Sequence, residues 1–359
     1  MAPSTFNVVV VGYGLSAKVF HIPFIPQIPS LKLYGIVQRS PQPGNDAGAE
    51  HAGIKTWTDY SEMLQDEAVD VVVVTTPPES HFGMCESALR RSKHVVVEKP
   101  FVPTATEAQL LFELANERGL HIMVYQNRRY DSDFLTVSEL IKGNVLGRIA
   151  EFESHFDRHR PDPPATSWKV DVSQPATGAI FDLGTHLIDQ AVCLFGAPES
   201  VTAFLTNQRN VPEAPHDSFT VLLTYRDPEL PLVTLKAGVV SAEAAQLRFW
   251  VRGTNASFRK SYLDVQEDQL RAGWAPSQEG FGVDPEEHYG TLTRWVDGRP
   301  EVQTLPTAVP ETYKGFYQNV ADTLRGISKS LVSGEEASTV MRVVELARES
   351  SESRKTLYL

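Results

Sequence analysis

The sequence has few cysteines and no excess of basic residues. Cys85 and Cys193 are the only two in 359 residues, which excludes a disulfide framework and suits a reducing compartment. A formal net charge of −12 argues against a nucleic-acid partner, which would require a basic face. No apolar run is long enough to span a bilayer, and the first residues lack the charged and apolar regions of a signal peptide. We therefore expect a cytoplasmic protein with neither a membrane nor a nucleic acid as partner.

Internal repeats and low-complexity segments are also missing. Apolar residues at 42% and charged residues at 22% describe an ordinary soluble globular protein. The length predicts two domains, which we place at residues 1–127 and 128–359.

A buried strand and a glycine turn stand near the start of the chain. Four consecutive valines, residues 8–11, predict a central strand, because they show no alternation of apolar and polar side chains. The next residues, Gly12 to Ala17, have the pattern G-x-G-x-x-A of a dinucleotide-binding turn. In that turn Gly12 makes the tight bend, Gly14 admits the pyrophosphate and Ala17 permits close helix packing. The free N–H groups of the following helix face the phosphates. The alternative is a glycine turn of some other α/β protein.

The end of the second predicted strand, residues 33–37, bears on the choice between NAD and NADP. In NAD-binding proteins an acidic residue stands there and binds the ribose hydroxyls. This sequence has Arg39 and Ser40 instead, and an arginine with a hydroxyl suits the 2′-phosphate of NADP. We therefore favour NADP, although an Arg39 that only stacks on adenine would permit NAD as well.

A lysine follows another buried strand directly. Residues 95–97 are valines, and Pro100 ends their strand because proline cannot donate to the ladder. Lys99 is therefore left at the carboxyl edge of the sheet, where open α/β sheets bind ligands. Partial desolvation there lowers the pKa of an amine toward catalytically useful values. The alternative is a surface lysine at the end of a strand.

Strands and helices alternate throughout the first half. Further buried strands are predicted at 71–74 and 122–124, and Thr104 with Glu107 forms a capping box that begins a helix. This alternation predicts an α/β domain with a parallel, doubly wound Rossmann sheet.

The second half has a different pattern. Residues 132–142 predict a helix with one apolar face, and residues 149–156 alternate as a half-buried strand does. Short turns separate further strands and indicate an α+β domain with a largely antiparallel sheet. Helices are expected on one side of it, with the last, at about 335–350, packing back toward the first domain. The other face is expected to be open and to pair with another subunit, or else to be solvated. The further strands are predicted at 201–206, 219–225, 233–240, 247–252 and 257–261.

One segment of the second half carries ionisable side chains at helical spacing. Residues 178–189 predict a helix in which Asp182, His186 and Asp189 share one face. A carboxylate beside an imidazole orients the ring and raises its basicity. No metal site is expected, because too few further ligands of the right type for zinc are present. The alternative is a core histidine that Asp182 satisfies.

Three motifs in this order resemble the Gfo/Idh/MocA oxidoreductases, which are NAD(P)-dependent sugar, polyol and inositol dehydrogenases with some related reductases. The motifs are Gly12 to Ala17, Glu98-Lys99-Pro100 and Asp182-x-x-x-His186. Shorter stretches resemble the branch that contains the NADP-dependent scyllo-inositol dehydrogenases. These stretches are Phe20-His21 with Pro23, Asn127 to Phe134, Phe156 to Arg158, Gly253-Thr254 and Tyr289 to Leu292.

The resemblance implies that Lys99 and His186 contact the reacting hydroxyl or carbonyl, with Asp182 beside them. His186 is the preferred proton-transfer group and Lys99 the polarising group, although the reverse division stays open. The implied cofactor-binding residues are Gly12, Gly14, Leu15, Ser16, Arg39, Ser40, Thr76, Pro77, His81, Glu98, Lys99 and Asn127. The implied substrate-binding residues are Lys99, Arg129, Asp157, Trp168, Asp182 and His186, with Arg158 and Lys169 as further candidates. For Arg129, Asp157, Arg158, Trp168 and Lys169 the alternative is a structural role in salt bridges or the core.

We therefore predict an NADP-dependent oxidoreductase that acts on a CH–OH or C=O group of a cyclic polyol or sugar of the inositol type, as a homodimer or homotetramer. One alternative is an NADPH-dependent reductase of a carbonyl compound in secondary metabolism. Another is a catalytically inactive regulator that binds NAD(P) on the same fold. The presence of Lys99, Asp182 and His186 favours an enzyme, because a regulator has no need of them. The resemblance also implies a cis peptide bond before Pro100.

Overall fold

The computed structural model describes residues 5–162 and 172–359, so the candidates Trp168 and Lys169 lie outside the described residues. In the first third of the chain, strands and helices alternate as the sequence predicts. The elements are β1 (Phe6–Val11), β2 (Leu31–Val37), α1 (Ala47–Glu50), β3 (Lys55–Trp57), α2 (Tyr60–Met63), β4 (Val71–Val74), α3 (His81–Arg90), β5 (His94–Val97), α4 (Ala105–Glu117) and β6 (Ile122–Val124).

These strands form a parallel sheet in the order β3-β2-β1-β4-β5-β6. The valine runs of β1, β4 and β5 are buried, as a central parallel strand covered on both faces requires. The strand order reverses between β1 and β4, and open α/β sheets bind ligands at the carboxyl ends of the strands at such a point. The predicted Rossmann sheet is thus confirmed.

Two local predictions in this sheet are also confirmed. Thr104 Oγ1 accepts a hydrogen bond from the N–H of Glu107 at 3.2 Å, and Glu107 Oε2 accepts one from the N–H of Thr104 at 3.1 Å. This reciprocal capping box begins α4. The peptide bond between Lys99 and Pro100 is cis.

The second half forms a mixed, largely antiparallel sheet with further helices. The strands predicted between residues 149 and 261 are present, whereas the hairpin at residues 290–305 and the short last strand are not among the predicted strands. The elements are α5 (Ser132–Lys142), β7 (Ile149–His155), α6 (Thr185–Phe195), β8 (Ser200–Thr206), β9 (Ser218–Thr224), β10 (Leu232–Ala237), β11 (Leu247–Gly253), β12 (Ala256–Ser261), α7 (Gln266–Arg271), β13 (Gly290–Val296), β14 (Arg299–Leu305), α8 (Thr312–Leu324), α9 (Gly334–Ser353) and β15 (Leu357–Tyr358).

The two faces of this second sheet differ in burial. Its strand order is β14-β13-β12-β11-β7-β10-β9-β8-β15, with β7 and β10 parallel. Phe152 on β7 pairs with Val251 and Val233 on its neighbours, and all three are buried. Since side chains alternate along a strand, the residues between them point to the opposite face. Large apolar side chains are exposed on that face, namely Phe204, Leu232, Trp250, Trp295 and Val302.

The helix predicted at 178–189 differs from the observed one. Residues Ile180–Gly184 form a π-helical turn, and α6 begins only at Thr185. Asp182 therefore lies in the wider turn and His186 in the first turn of α6, so their spacing crosses the junction. The prediction of one regular helix is wrong here, because the wider turn leaves no mark on the pattern of apolar residues. Another π turn, Ala17–His21, follows the glycine turn; such turns are frequent at functional sites.

The chain divides into two compact units that are not contiguous in sequence. The first unit contains the residues up to Tyr130 together with Gln266–Phe281 and Glu311–Ala337. The second contains Asp131–Val265, Gly282–Pro310 and Ser338–Leu359. Helices α7 and α8 therefore belong to the same unit as the parallel sheet. A domain boundary after residue 127 stays a prediction, as does the packing of the last helix toward the first domain.

Within the described ranges, no helix is both long and apolar enough to cross a membrane.

Candidate functional site

Residues that follow neighbouring strands meet at the carboxyl edge of the parallel sheet. Strands β1, β4 and β5 end in register. Just beyond them, the N–H of Thr75 donates to Val11 O at 2.9 Å, and the N–H of Glu98 donates to Val74 O at 3.0 Å. Thr75 and Glu98 thus extend the ladder to the edge, and Lys99 follows there, half-buried.

The two glycines of the glycine turn differ in the space around them. Gly12 has a φ of +101°, and a Cβ there would lie 2.7 Å from Thr75 Oγ1. A Cβ at Gly14, in contrast, would meet no heavy atom within 4 Å. Leu15 is exposed, while Ala17 is fully buried. The fold therefore requires Gly12, whereas the room beside Gly14 leaves the backbone accessible to a pyrophosphate. These residues fit an NAD(P) cofactor.

A buried chain of hydrogen bonds connects the glycine turn to the end of β5. Ser16 Oγ donates to Glu98 Oε1, and His21 Nε2 lies 2.9 Å from the same oxygen. His21 Nδ1 lies 2.6 Å from Tyr317 Oη on α8. The other carboxylate oxygen, Glu98 Oε2, accepts a hydrogen bond from the N–H of Lys99 at 2.9 Å. The Glu98 side chain thereby holds the backbone of Lys99 and the start of the π turn at Ala17–His21 together.

The partners of Glu98 determine its charge. Burial raises the pKa of this carboxyl, but the hydrogen bond and charge of His21, with Ser16 and Lys99, outweigh burial and lower the pKa overall. Burial and the nearby Glu98 raise the pKa of Tyr317 well above its usual value. Glu98 is therefore a buried carboxylate that accepts hydrogen bonds.

The loop after β2 presents the two residues predicted to select NADP. The N–H of Gly12 donates to Val37 O at 2.9 Å, so the end of β2 adjoins the glycine turn. Gln38 is buried and holds the loop, since its Oε1 accepts from the N–H of Ala47 at 2.8 Å. Arg39 and Ser40 are exposed. Among the described residues, no carboxylate forms an ion pair with Arg39.

The remaining cofactor candidates follow β4 and β6. His81 is buried, and its ring nitrogens lie 2.7 Å from Thr76 O and 2.9 Å from Phe101 O. Burial lowers the pKa of His81, against the effect of these carbonyls, which favour the charged ring. The imidazole therefore ties the loop after β4 to the turn after Lys99. Direct contacts of the cofactor with His81, Thr76, Pro77 and Asn127 stay predictions.

Arg129 has structural partners within the first unit. Its Nη1 donates to Leu331 O at 2.6 Å and lies 3.5 Å from Glu336 Oε1. The side chain is buried. These contacts are of the structural kind that is the alternative to substrate binding for Arg129. A role of Arg129 in binding a substrate stays a prediction.

In the second unit, Asp182 and His186 flank the junction between the π turn and α6. His186 is only 5% exposed, and Asp182 is half-buried. The Phe156 and His186 rings form a T-shaped contact, with the centroids 6.1 Å apart. The next residue, Asp157, has its Oδ2 3.0 Å from His155 Nδ1. Phe156 thus adjoins Asp157 in sequence and His186 in space. Arg158 follows, and its N–H donates to Gly238 O at 2.8 Å.

Sequence reasoning assigns no role to His21 and does not single out Tyr317. Phe20-His21 contributes to the resemblance, but His21 and Tyr317 are 296 positions apart, so no local pattern connects them.

For metals, no three His, Cys, Asp or Glu side chains of the described chain form a cluster that could bind an ion.

Comparison with known proteins gives matches over most of the chain. Residues 6–126 match a model described as an oxidoreductase family, NAD-binding Rossmann fold, and residues 138–359 match one described as an oxidoreductase family, C-terminal alpha/beta domain. An uncharacterized oxidoreductase of Schizosaccharomyces pombe is 39% identical over 98% of each chain. The scyllo-inositol 2-dehydrogenase (NADP+) of Bacillus subtilis is 34% identical over 99% of this chain and 96% of its own. A solved oxidoreductase structure from Bacillus subtilis superposes with a TM-score of 0.92, at 34% identity and over 99% of each chain.

Proposed function

The chain belongs to the Gfo/Idh/MocA oxidoreductase family, and on that premise we propose that it is an NADP-dependent dehydrogenase of a cyclic polyol or sugar of the inositol type. The observation that carries the proposal is the position of Lys99 at the carboxyl edge of the sheet. It follows Glu98 directly, and the Glu98 carboxylate accepts a hydrogen bond from Ser16 of the glycine turn. The same carboxylate accepts a hydrogen bond from the backbone N–H of Lys99, so the backbone that carries this basic side chain is linked to the glycine turn. The substrate class is supported by the name of the Bacillus subtilis relative.

The first unit supplies the binding of the cofactor. The backbone at Gly12 and Gly14 and the N-terminus of the following π turn bind the pyrophosphate, because free N–H groups there attract anions. Arg39 and Ser40 bind the 2′-phosphate, since they are exposed beside the glycine turn and no acidic residue replaces them. Bound NADP supplies the hydride acceptor for the oxidation.

The chain's own ionisable residues handle the proton and the charge on oxygen. His186 accepts the hydroxyl proton, and Asp182, in the preceding turn, orients the imidazole and favours its charged form. Lys99 donates a hydrogen bond to the reacting oxygen and stabilises the negative charge that develops on it. In the reduction direction the same groups work in reverse, so His186 donates the proton. Asp157 and Arg158, which follow Phe156, are proposed to contact the substrate hydroxyls.

The experiment is a substrate panel. The purified protein is mixed with NADP or NAD and with scyllo-inositol, myo-inositol, D-glucose or D-xylose, or with NADPH and ketones outside the sugars, and the absorbance of the reduced nicotinamide is followed. Turnover with an inositol and NADP supports the proposal. Turnover only in the opposite direction, with NADPH and a ketone outside the sugars, replaces it with the carbonyl reductase. Tight NADP binding without turnover on any member of the panel replaces it with the inactive regulator.

A further inference from the structure

Arg248 is a fully buried cation in the second unit, and its side chain joins three other elements to β11. Its Nε donates to Asp133 Oδ2 on α5 at 2.9 Å. Its Nη1 donates to Ser154 Oγ on β7 at 2.7 Å, and its Nη2 donates to Gln190 Oε1 on α6 at 2.8 Å. The planar guanidinium can direct several donors at fixed angles, which a lysine ammonium cannot do.

One of these contacts, with Gln190, and a further contact with Phe156 lead to His186. Gln190 lies four residues after His186, which is one turn along α6. The Arg248 guanidinium carbon also lies over the Phe156 ring, 4.5 Å from its centre, and the Phe156 and His186 rings form a T-shaped contact. Arg248 therefore holds both the helix that carries His186 and the aromatic ring packed against it.

A second buried ion pair in the same unit provides a comparison. Lys260 Nζ lies 3.0 Å from Asp284 Oδ2, and both side chains are as fully buried as those of Arg248 and Asp133. The hydrogen bonds of Lys260 go to backbone oxygens, the shortest to His288 O at 2.8 Å. Apolar residues often replace a buried ion pair without loss of stability. A contribution to stability therefore does not by itself explain why the Arg248 guanidinium contacts three other elements.

We propose that Arg248 is a positioning residue for His186, which it orients through Gln190 and Phe156. The role rests on the proposed function in so far as His186 transfers the proton. A small displacement of the imidazole then slows the chemical step, because proton transfer requires hydrogen-bond contact with the reacting oxygen. Binding of NADP does not depend on this contact network.

The kinetic test uses the full-length protein with scyllo-inositol and NADP. Arg248→Met is expected to lower kcat by about 10-fold to 100-fold, with the KM for scyllo-inositol and the Kd for NADP changed by less than about threefold. Arg248→Lys keeps the positive charge but loses the planar set of hydrogen-bond donors. Its kcat should lie between that of the unmodified protein and that of Arg248→Met. The matched control Lys260→Met removes the other buried cation and should leave kcat within about twofold. Equal losses of kcat in Arg248→Met and Lys260→Met, or no loss in either, would overturn the proposal.

A spectroscopic test needs no turnover and separates this proposal from the choice of substrate. The side-chain signal of His186 in histidine-labelled protein is assigned by its absence in His186→Gln. Gln190→Ala, which leaves the ion pair of Arg248 intact, should shift or broaden that signal, and Lys260→Met should not. This variant also serves if Arg248→Met does not fold. An unchanged His186 signal in Gln190→Ala refutes the positioning role. Failure of the unmodified protein to oxidise scyllo-inositol, with the signal shifted as expected, refutes only the substrate.

Discussion

The imidazole of His21 and the carboxylate of Glu98 form a buried pair, with Nε2 and Oε1 2.9 Å apart. His21 ends the π turn that follows the glycine turn, and Glu98 directly precedes Lys99. The pair therefore couples the position of the residues proposed to bind the cofactor phosphates to the position of the proposed polarising group. A shift of either segment would lengthen a hydrogen bond to a buried charge, which is costly in a site of low dielectric.

Glu98 should make the stability of the protein fall in acid. Its pKa is lowered from the usual value of 4.5 in the folded state, so its contribution is fully present above that value and is lost as the pH falls through the lowered pKa. Urea unfolding at several pH values should show a shallower acid decline for Glu98→Gln than for the unmodified protein. Glu86→Gln, which removes an exposed ion pair with Arg90, is the control and should keep the original slope.

The two glycines of the turn should respond differently to alanine. Gly14→Ala should keep the melting temperature, because its Cβ meets no heavy atom within 4 Å, but should weaken NADP binding by about tenfold or more. Gly12→Ala should lower the free energy of unfolding by about 1–3 kcal/mol, because its φ is +101° and its Cβ approaches Thr75. Calorimetry and cofactor titration by fluorescence measure the two effects. Normal NADP affinity in Gly14→Ala would contradict the proposed phosphate site.

Arg39 should determine the preference for NADP. Arg39→Ala should cost NADP binding about 1–3 kcal/mol, because a charge-assisted contact with the 2′-phosphate is lost, and should leave NAD binding nearly unchanged. Arg91→Ala, an exposed arginine after α3, is the control and should alter neither affinity. Equal affinity of the unmodified protein for NADP and NAD would show that the interpretation of Arg39 is wrong.

Substitutions at Lys99 and His186 should lower turnover, and those at His186 should leave cofactor binding nearly unchanged. His186→Ala should lower kcat by about 10²–10⁴-fold through loss of proton transfer, and Lys99→Ala should lower it by a similar factor through loss of polarisation. Asp182→Asn should act mainly by misorienting the imidazole. The Kd for NADP should change little in the His186 and Asp182 variants, as fluorescence titration would report.

A lysine at the other end of the same strand provides the matched control for this experiment. Lys93 directly precedes β5 and donates to Asp66 O at 2.9 Å, so Lys93→Met should keep kcat. Near-normal turnover in both Lys99→Ala and His186→Ala would remove these residues from the chemistry.

The exposed apolar face of the second sheet should associate with another subunit. Trp295 is 72% exposed and Val302 is 68% exposed on that face, and such patches mark interaction sites. Light scattering at micromolar concentration should therefore give the mass of a dimer or tetramer. Trp295→Asp should lower that mass, whereas Leu110→Asp, at an exposed apolar position on α4, should not. A monomer of the unmodified protein would contradict the prediction.

Local patterns were sufficient to predict most strands of the parallel sheet. The valines of β1, β4 and β5 can be recognised because only a strand buried on both faces has no polar positions. The capping box of Thr104 and Glu107 is equally local. The hairpin of β13 and β14 escapes prediction because residues 299–304 are all exposed, so no apolar alternation marks the second strand.

The contacts that complete the candidate site could not be predicted from local patterns. Arg248 stands in a strand where an arginine is expected to be exposed, and its burial depends on partners from three other elements. His21 and Tyr317 are likewise brought together only by the packing of α8. In each case the polar partner of a buried group is supplied by a distant part of the chain.

Tyr317 emerges from the ribosome 296 residues after His21, although the two side chains are in direct, buried contact. A nascent chain that has already formed the parallel sheet still lacks Tyr313, Phe316 and Tyr317, and exposes the apolar surface that they cover in the finished protein. Such surfaces make partly synthesised chains prone to misassembly. His21, at the end of the π turn, therefore gains the Tyr317 hydroxyl beside its Nδ1 only near the end of translation.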